Sequence, residues 1–158
     1  MTADSEFQKG FAEYNSGMPY IRMENSLLRA FDTMPTVAVP PTGVNRPARI
    51  FELRTYESNN LAASHRKMGM FNQGEMAIFS RLGMSPVFFG ETLIGRNLPS
   101  LTYMLAFDTL AAREKLWQDF GADAEWRKLR SNPELSDALI VSNITNSILR
   151  PLPFSQIR

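Results

Sequence analysis

Apolar and polar positions alternate from Arg49 to Tyr56, with Phe51, Leu53 and Thr55 on one face and Ile50, Glu52, Arg54 and Tyr56 on the other. This period of two predicts a strand over residues 49–56. Ser58-Asn59-Asn60 then offers an N-cap, and Leu61, Met68, Phe71, Ile78, Phe79 and Leu82 recur at steps of three, four or seven. One long helix follows, with Gly83 as its stop. Residues 86–94 and 101–107 are β-rich and are split by Gly95-Arg96-Asn97-Leu98-Pro99, a composition that suits a hairpin connection. Asp108 or Thr109 can cap a second helix with Leu110, Leu116, Trp117 and Phe120 on its apolar side. The pattern resumes at Asp123 through Trp126 and Leu129, until Asn132-Pro133 interrupts it. Residues 140–150 are rich in Ile, Val and Thr and read as a last strand, with Ile144, Asn146, Ile148 and Arg150 on one face; Pro151 and Pro153 end it.

The order β-α-β-β-α-β predicts an α+β fold of the ferredoxin-like kind, in which two helices cover one face of a four-stranded antiparallel sheet. The other face must then be covered by a second sheet or left as a large apolar surface. Ile50, Tyr56 and Ile148 are expected on that face, so the expected partner is a second copy of the chain or a tandem repeat.

The first residues of the chain bear on this choice. Residues 3–9 match residues 122–128 at four of seven positions, with Phe7 against Trp126 at a fifth. Asn25-Ser26-Leu27-Leu28-Arg29 matches Asn146-Ser147-Ile148-Leu149-Arg150 at four of five. Chance identity is about 6% per position at ordinary residue usage. The offsets, 119 and 121, differ by one two-residue insertion, and a duplication explains both matches together. Residues 1–35 then read as the second helix and last strand of a preceding repeat, 36–47 as a Pro- and Gly-bearing linker, and 48–158 as one complete domain. On this reading the chain is the C-terminal part of a tandem-domain protein.

Composition narrows the function classes. With 17 basic against 16 acidic residues among 158, the chain has a net charge of +1 and no long run of like charge, which argues against nucleic acid as a partner. The apolar runs fall far short of the roughly 20 residues that span a bilayer, and the N-terminus lacks the pattern of a signal peptide. As written the chain reads as soluble and cytoplasmic, or as exported if a signal lies upstream, and its compartment stays open. The absence of cysteine excludes disulfides and thiolate chemistry.

Phe51-Glu52-Leu53-Arg54-Thr55-Tyr56, the junction from Ala106 to Glu114, the pair Glu125-Trp126 and the ending Ile148-Leu149-Arg150-Pro151-Leu152-Pro153-Phe154 occur in this order. In these motifs residues 49–158 resemble the NIPSNAP family. The resemblance implies the dimeric α+β barrel superfamily, in which two ferredoxin-like sheets pack face to face, and it implies no defined reaction.

Candidate chemistry gathers on the first and last strands. Glu52, Arg54 and Tyr56, joined by Asn146 and Arg150, are expected to face the cavity between sheets. There an Arg could anchor a carboxylate-bearing or phenolic small molecule and Glu52 could accept a proton. Alternatively, Glu52 neutralises an Arg and fixes the register of the interface. Glu91 and Tyr103 on the hairpin have no assigned face. His65 is the only histidine, which excludes a multi-histidine metal site or a triad within one chain, and it is expected half-buried on the helical stripe. Arg66 and Lys67 read as a solvated face. The expected role is an assembling, small-molecule-binding module without metal or other cofactor; the alternative is a small barrel enzyme of monooxygenase or haem-degrading type, with haem as its ligand.

Overall fold

The computed structural model describes residues 4–41 and 49–158. Ala3 of the first repeat match, residues 42–47 of the expected linker and residue 48 lie outside them.

Alternating residues around Glu52 form β2 (Ile50–Glu57), an inner strand of a five-stranded antiparallel sheet. The other strands are β1 (Leu27–Ala30), β3 (Ser85–Ile94), β4 (Ser100–Phe107) and β5 (Asn143–Leu149), and the order across the sheet is β1-β3-β4-β2-β5. Strands β5, β2, β4 and β3 make the ferredoxin-like sheet, and β1 adds a fifth strand beyond β3. Register is fixed along β2 by Glu52 opposite Leu105 on one side and Ile148 on the other.

The helices are α1 (Ser5–Asn15), α2 (Leu61–Met70), α3 (Met76–Arg81), α4 (Leu110–Ala122), α5 (Ala124–Arg130) and the single turn α6 (Asp137–Ile140). Asn60 caps α2 and Thr109 caps α4 through their side-chain oxygens, and Gly83, at φ +86°, ends α3 in the left-handed conformation that favours glycine. The helix expected over 61–82 is interrupted by a five-residue π-helical turn, Phe71–Glu75. The turn buries Phe71 and Glu75 together against the sheet. The last strand begins later than its β-branched composition suggests. Residues 137–140 wind into a helical turn because Ile140 is buried and its carbonyl accepts a bond from the Ser58 hydroxyl at 2.7 Å.

Two apolar clusters lie on opposite faces of the sheet. Under the helices, Phe71, Phe79, Phe89, Tyr103, Phe120 and Trp126 form an aromatic core, and Phe31, just after β1, reaches into it beside Phe71 and Phe89. On the other face Phe51, Val87 and Ala106 gather with Phe88, Met104 and Ile157 of the C-terminal tail.

Asp123 caps α5 by accepting from the backbone N–H groups of Glu125 and Trp126, both at 3.0 Å, and binds Arg81 at 3.0 Å. Asp123→Ala is expected to cost about 0.5–2 kcal/mol in denaturant unfolding, a cap-sized loss, because the ion pair is too exposed to add much.

Candidate functional site

The densest polar chemistry lies between β2 and α4. Glu52 is fully buried and accepts four hydrogen bonds: from Arg113 Nε at 3.0 Å and Nη2 at 2.5 Å, from Trp117 Nε1 at 2.7 Å, and from Arg54 Nη1 at 3.0 Å. This uses the acceptor capacity of a carboxylate. Arg54 continues the network. Its guanidinium lies over the Trp117 ring at 4.5 Å and donates to the Tyr56 hydroxyl at 3.0 Å. Asn146 on β5 faces it across the register, and the amide oxygen, turned inward, accepts from Arg54 Nη1 at 3.1 Å.

Burial works to raise the Glu52 pKa, but the bonds from Arg113 and Trp117 and the charges of Arg54 and Arg113 outweigh it and hold the carboxyl below its ordinary value. A carboxylate so held is a poor proton acceptor. Burial also works to lower the pKa of Arg54, yet Tyr103, Tyr56 and Glu52 leave it raised, so its charge is permanent. Tyr103 is pushed well above the usual phenol value by burial and stays neutral.

The expected facing of this group is reversed. Glu52, Arg54 and Tyr56 point beneath the helices, and the uncovered face carries Phe51, Leu53 and Thr55. The physical reason is supply of partners: α4 brings Arg113 and Trp117 over β2, so the charges are satisfied inside the fold. The structure brings Glu52, Arg54, Tyr56 and Asn146 together. Arg150 lies apart, exposed beyond the end of β5, where it lines a cleft on the opposite face with Phe51 and Met104.

Lys67 is not on a solvated face. It is buried, with Nζ 3.2 Å from Glu75 Oε2 and 4.9 Å from the centre of the Phe71 ring. Burial raises the Glu75 pKa, with the Lys67 charge opposing it. Neither partner was legible as a pair, because the π-turn that positions Glu75 has no spacing signature. His65 is exposed on α2 rather than half-buried, 3.9 Å from Glu91, which also pairs with Arg29 of β1. Among the described residues no group of three or more His, Asp or Glu side chains is placed to hold a metal ion, and no helix is long and apolar enough to cross a membrane.

The uncovered face carries two clefts. One, of about 480 Å³, runs over Leu53, Thr55, Phe88 and Thr102 and is walled by Leu28 and Val37. The second, of about 330 Å³, lies between Phe51, Met104 and the tail residues Leu152, Phe154 and Ile157, with Arg150 at its rim. Both linings are chiefly apolar.

Helices on one face of an antiparallel β5-β2-β4-β3 sheet define a ferredoxin-like α+β protein. The NIPSNAP sequence profile matches residues 51–156, and the chain belongs to the NIPSNAP family. Solved structures share the fold. A NIPSNAP family protein from Agrobacterium tumefaciens is 22% identical, with a TM-score of 0.63 over 77% of this chain and 100% of its own. A second protein of the family from that organism, described as of unknown function, is 24% identical, with a TM-score of 0.61 over 70% and 95%. An uncharacterised NIPSNAP-like domain protein from Burkholderia xenovorans is 22% identical, with a TM-score of 0.59 over 68% and 89%. A search among curated proteins finds no match.

Proposed function

We propose that this protein is an assembling module whose uncovered sheet face packs against the same face of a second copy, enclosing a small apolar or weakly anionic molecule between them. The observation that carries the reading is the uncovered face itself. Leu53, Phe88 and Met104 present half-buried apolar surface away from the helices, and two clefts there would close under a second sheet. Arg150, at the rim, is the cation available to an anionic group. Glu52, Arg54, Tyr56 and Asn146 act in this reading as an internal brace. The four bonds on Glu52 leave it no capacity to accept a proton from a substrate, which disfavours a barrel enzyme built on that group.

The tandem origin of residues 1–35 is part of the proposal. Asp4 caps α1 through the N–H groups of Glu6 and Phe7, as Asp123 caps α5 through Glu125 and Trp126. Phe7 stands where Trp126 stands in the repeat, yet Phe7 is 47% exposed and Trp126 8%. A helix with an uncovered aromatic face fits a unit whose own sheet belongs to another domain.

Sedimentation velocity of the full chain tests the assembly reading. The expected result is a species of twice the chain mass, lost in Leu53→Asp, which places a charge at the centre of the face. A monomeric chain at tens of micromolar overturns the reading.

A further inference from the structure

Resting on the reading of the uncovered face as the ligand-holding one, we infer that its larger cleft is a binding site walled within one chain, and that it takes a neutral molecule with an apolar body and one carbonyl or hydroxyl oxygen. The paired hydroxyls of Thr55 and Thr102 receive that oxygen.

The floor of the cleft follows from alternation along β2. Leu53 and Thr55 lie on the side opposite Glu52 and Arg54, and the register sets Thr102 of β4 directly across from Thr55. The two Oγ1 atoms are 2.9 Å apart, and both half-buried threonines line the cleft. Neither hydroxyl has a further partner among the described residues. One donates to the other, so the pair keeps one O–H free to donate and lone pairs free to accept. A carbonyl oxygen uses the free donor, and an alcohol or phenol uses both.

The wall comes from β1 and the segment that follows it. Phe31, buried beside Phe71 and Phe89, fixes the start of that segment, and Ala38 fixes its end by donating its N–H to the Val87 carbonyl at 2.8 Å. Between these ties Met34, Pro35 and Val37 line the cleft together with Leu53 and Phe88 of the sheet. Gly90 lets β1 come close, since a Cβ there would lie 2.9 Å from the Cβ of Leu28, itself a lining residue. A four-stranded ferredoxin-like sheet has no such wall. Here it is built before any second copy arrives.

Charge decides the class of ligand. Among the described residues that line this cleft none is acidic or basic, so a carboxylate or an ammonium would leave water without finding a counter-charge. Ser26 and Thr36, the other hydroxyls of the lining, are exposed and stay hydrated. The smaller cleft differs in having Arg150 in its lining, and an anionic ligand belongs there. About 480 Å³ suits a small molecule whose apolar body fills the space while one or two placed polar atoms set its orientation.

Methyl-resolved NMR of the full chain tests this with four matched probes: acetophenone, ethylbenzene, benzoate and benzylammonium. Acetophenone is expected to shift the methyl signals of Thr55, Thr102, Leu28 and Leu53, and to bind about fivefold more tightly than ethylbenzene, the worth of one hydrogen bond. Benzoate and benzylammonium are expected to leave these four residues unshifted. Thr55→Val/Thr102→Val keeps the shape of the floor and removes both hydroxyls, so acetophenone is expected to fall to the affinity of ethylbenzene. Either charged probe binding at these methyls as well as acetophenone overturns the inference, as do absent shifts with acetophenone or a preference that survives the double variant. Sedimentation of the same samples separates this site from face packing. Acetophenone binding here by a monomeric chain overturns face packing alone, and a doubled mass with no shift at the four residues overturns the cleft alone.

Discussion

Glu52→Gln is expected to destabilise the fold by about 3–5 kcal/mol, because it leaves Arg54 and Arg113 held around a neutral amide beneath the helices. Three donor groups lose a charged acceptor at once: the Arg113 fork, the Trp117 indole and one Arg54 nitrogen. Urea unfolding followed by tryptophan fluorescence reads both parts of the effect, since Trp117 bonds directly to Glu52. Protein concentration is kept constant between variants, because association shifts apparent stability. A loss below about 1 kcal/mol, the scale of an exposed pair, would show that the network is dispensable. The variant also changes the acid limb. With its folded pKa held below the unfolded value, Glu52 contributes stability that is fully present above the ordinary carboxylate pKa. As pH falls through the interval down to the folded pKa, the unfolded chain takes up the proton first and this contribution is lost. Glu52→Gln removes that loss, so its stability is expected to fall less steeply across the same acid range.

The second large effect is expected at the π-turn. Glu75→Leu leaves Lys67 buried with only the exposed Asp137 carboxylate, 3.8 Å from its Nζ, as counter-ion, at a cost of about 3 kcal/mol, the low end for a broken buried pair. Lys67 keeps the faces of Phe71 and Tyr56, at 4.9 and 5.1 Å, which soften the loss but do not neutralise the charge. The double variant Lys67→Met/Glu75→Leu is expected to recover most of the stability, since an apolar pair of similar volume fills the same space without desolvating either ion. A double variant as costly as the sum of the singles would mean that the two side chains act through packing alone. The pH signature is opposite to that of Glu52. Burial raises the folded pKa of Glu75, so as pH rises from the ordinary carboxylate value to the raised one the unfolded chain loses its proton first and stability falls. Both Glu75 variants abolish this loss. Opposing slopes from two buried carboxylates distinguish a braced charge from one tolerated mainly because its lysine is near.

The two buried carboxylates also mark where sequence reading succeeds and where it stops. Alternation along β2 grouped Glu52, Arg54 and Tyr56 on one side, and the structure has them there. Alternation does not say which side the helices cover. That was decided by Arg113 and Trp117, some sixty residues away and carried on α4, whose arrival makes burial of Glu52 affordable. Lys67 looked like an ordinary exposed lysine because its partner, Glu75, comes into place only through a π-turn that carries no periodic signal. Asn146 was placed with Arg54 by strand pattern alone, whereas Arg150 fell outside the cluster because regular pairing ends at Leu149.

By itself the sequence determined the element order, the antiparallel ferredoxin-like sheet, a helix cap within Ser58–Asn60 and another at Asp108 or Thr109, the stop at Gly83, and the family. These features are local: they depend on periodicities of two and 3.6 residues and on side chains that bond to their own backbone neighbours. Only the tertiary structure decided which face of β2 is covered, that Glu52 is saturated with donors, and that β1 lies against β3. Each of these depends on groups distant in the chain meeting in space, and a buried charge or an open sheet edge is defined by what finally stands beside it.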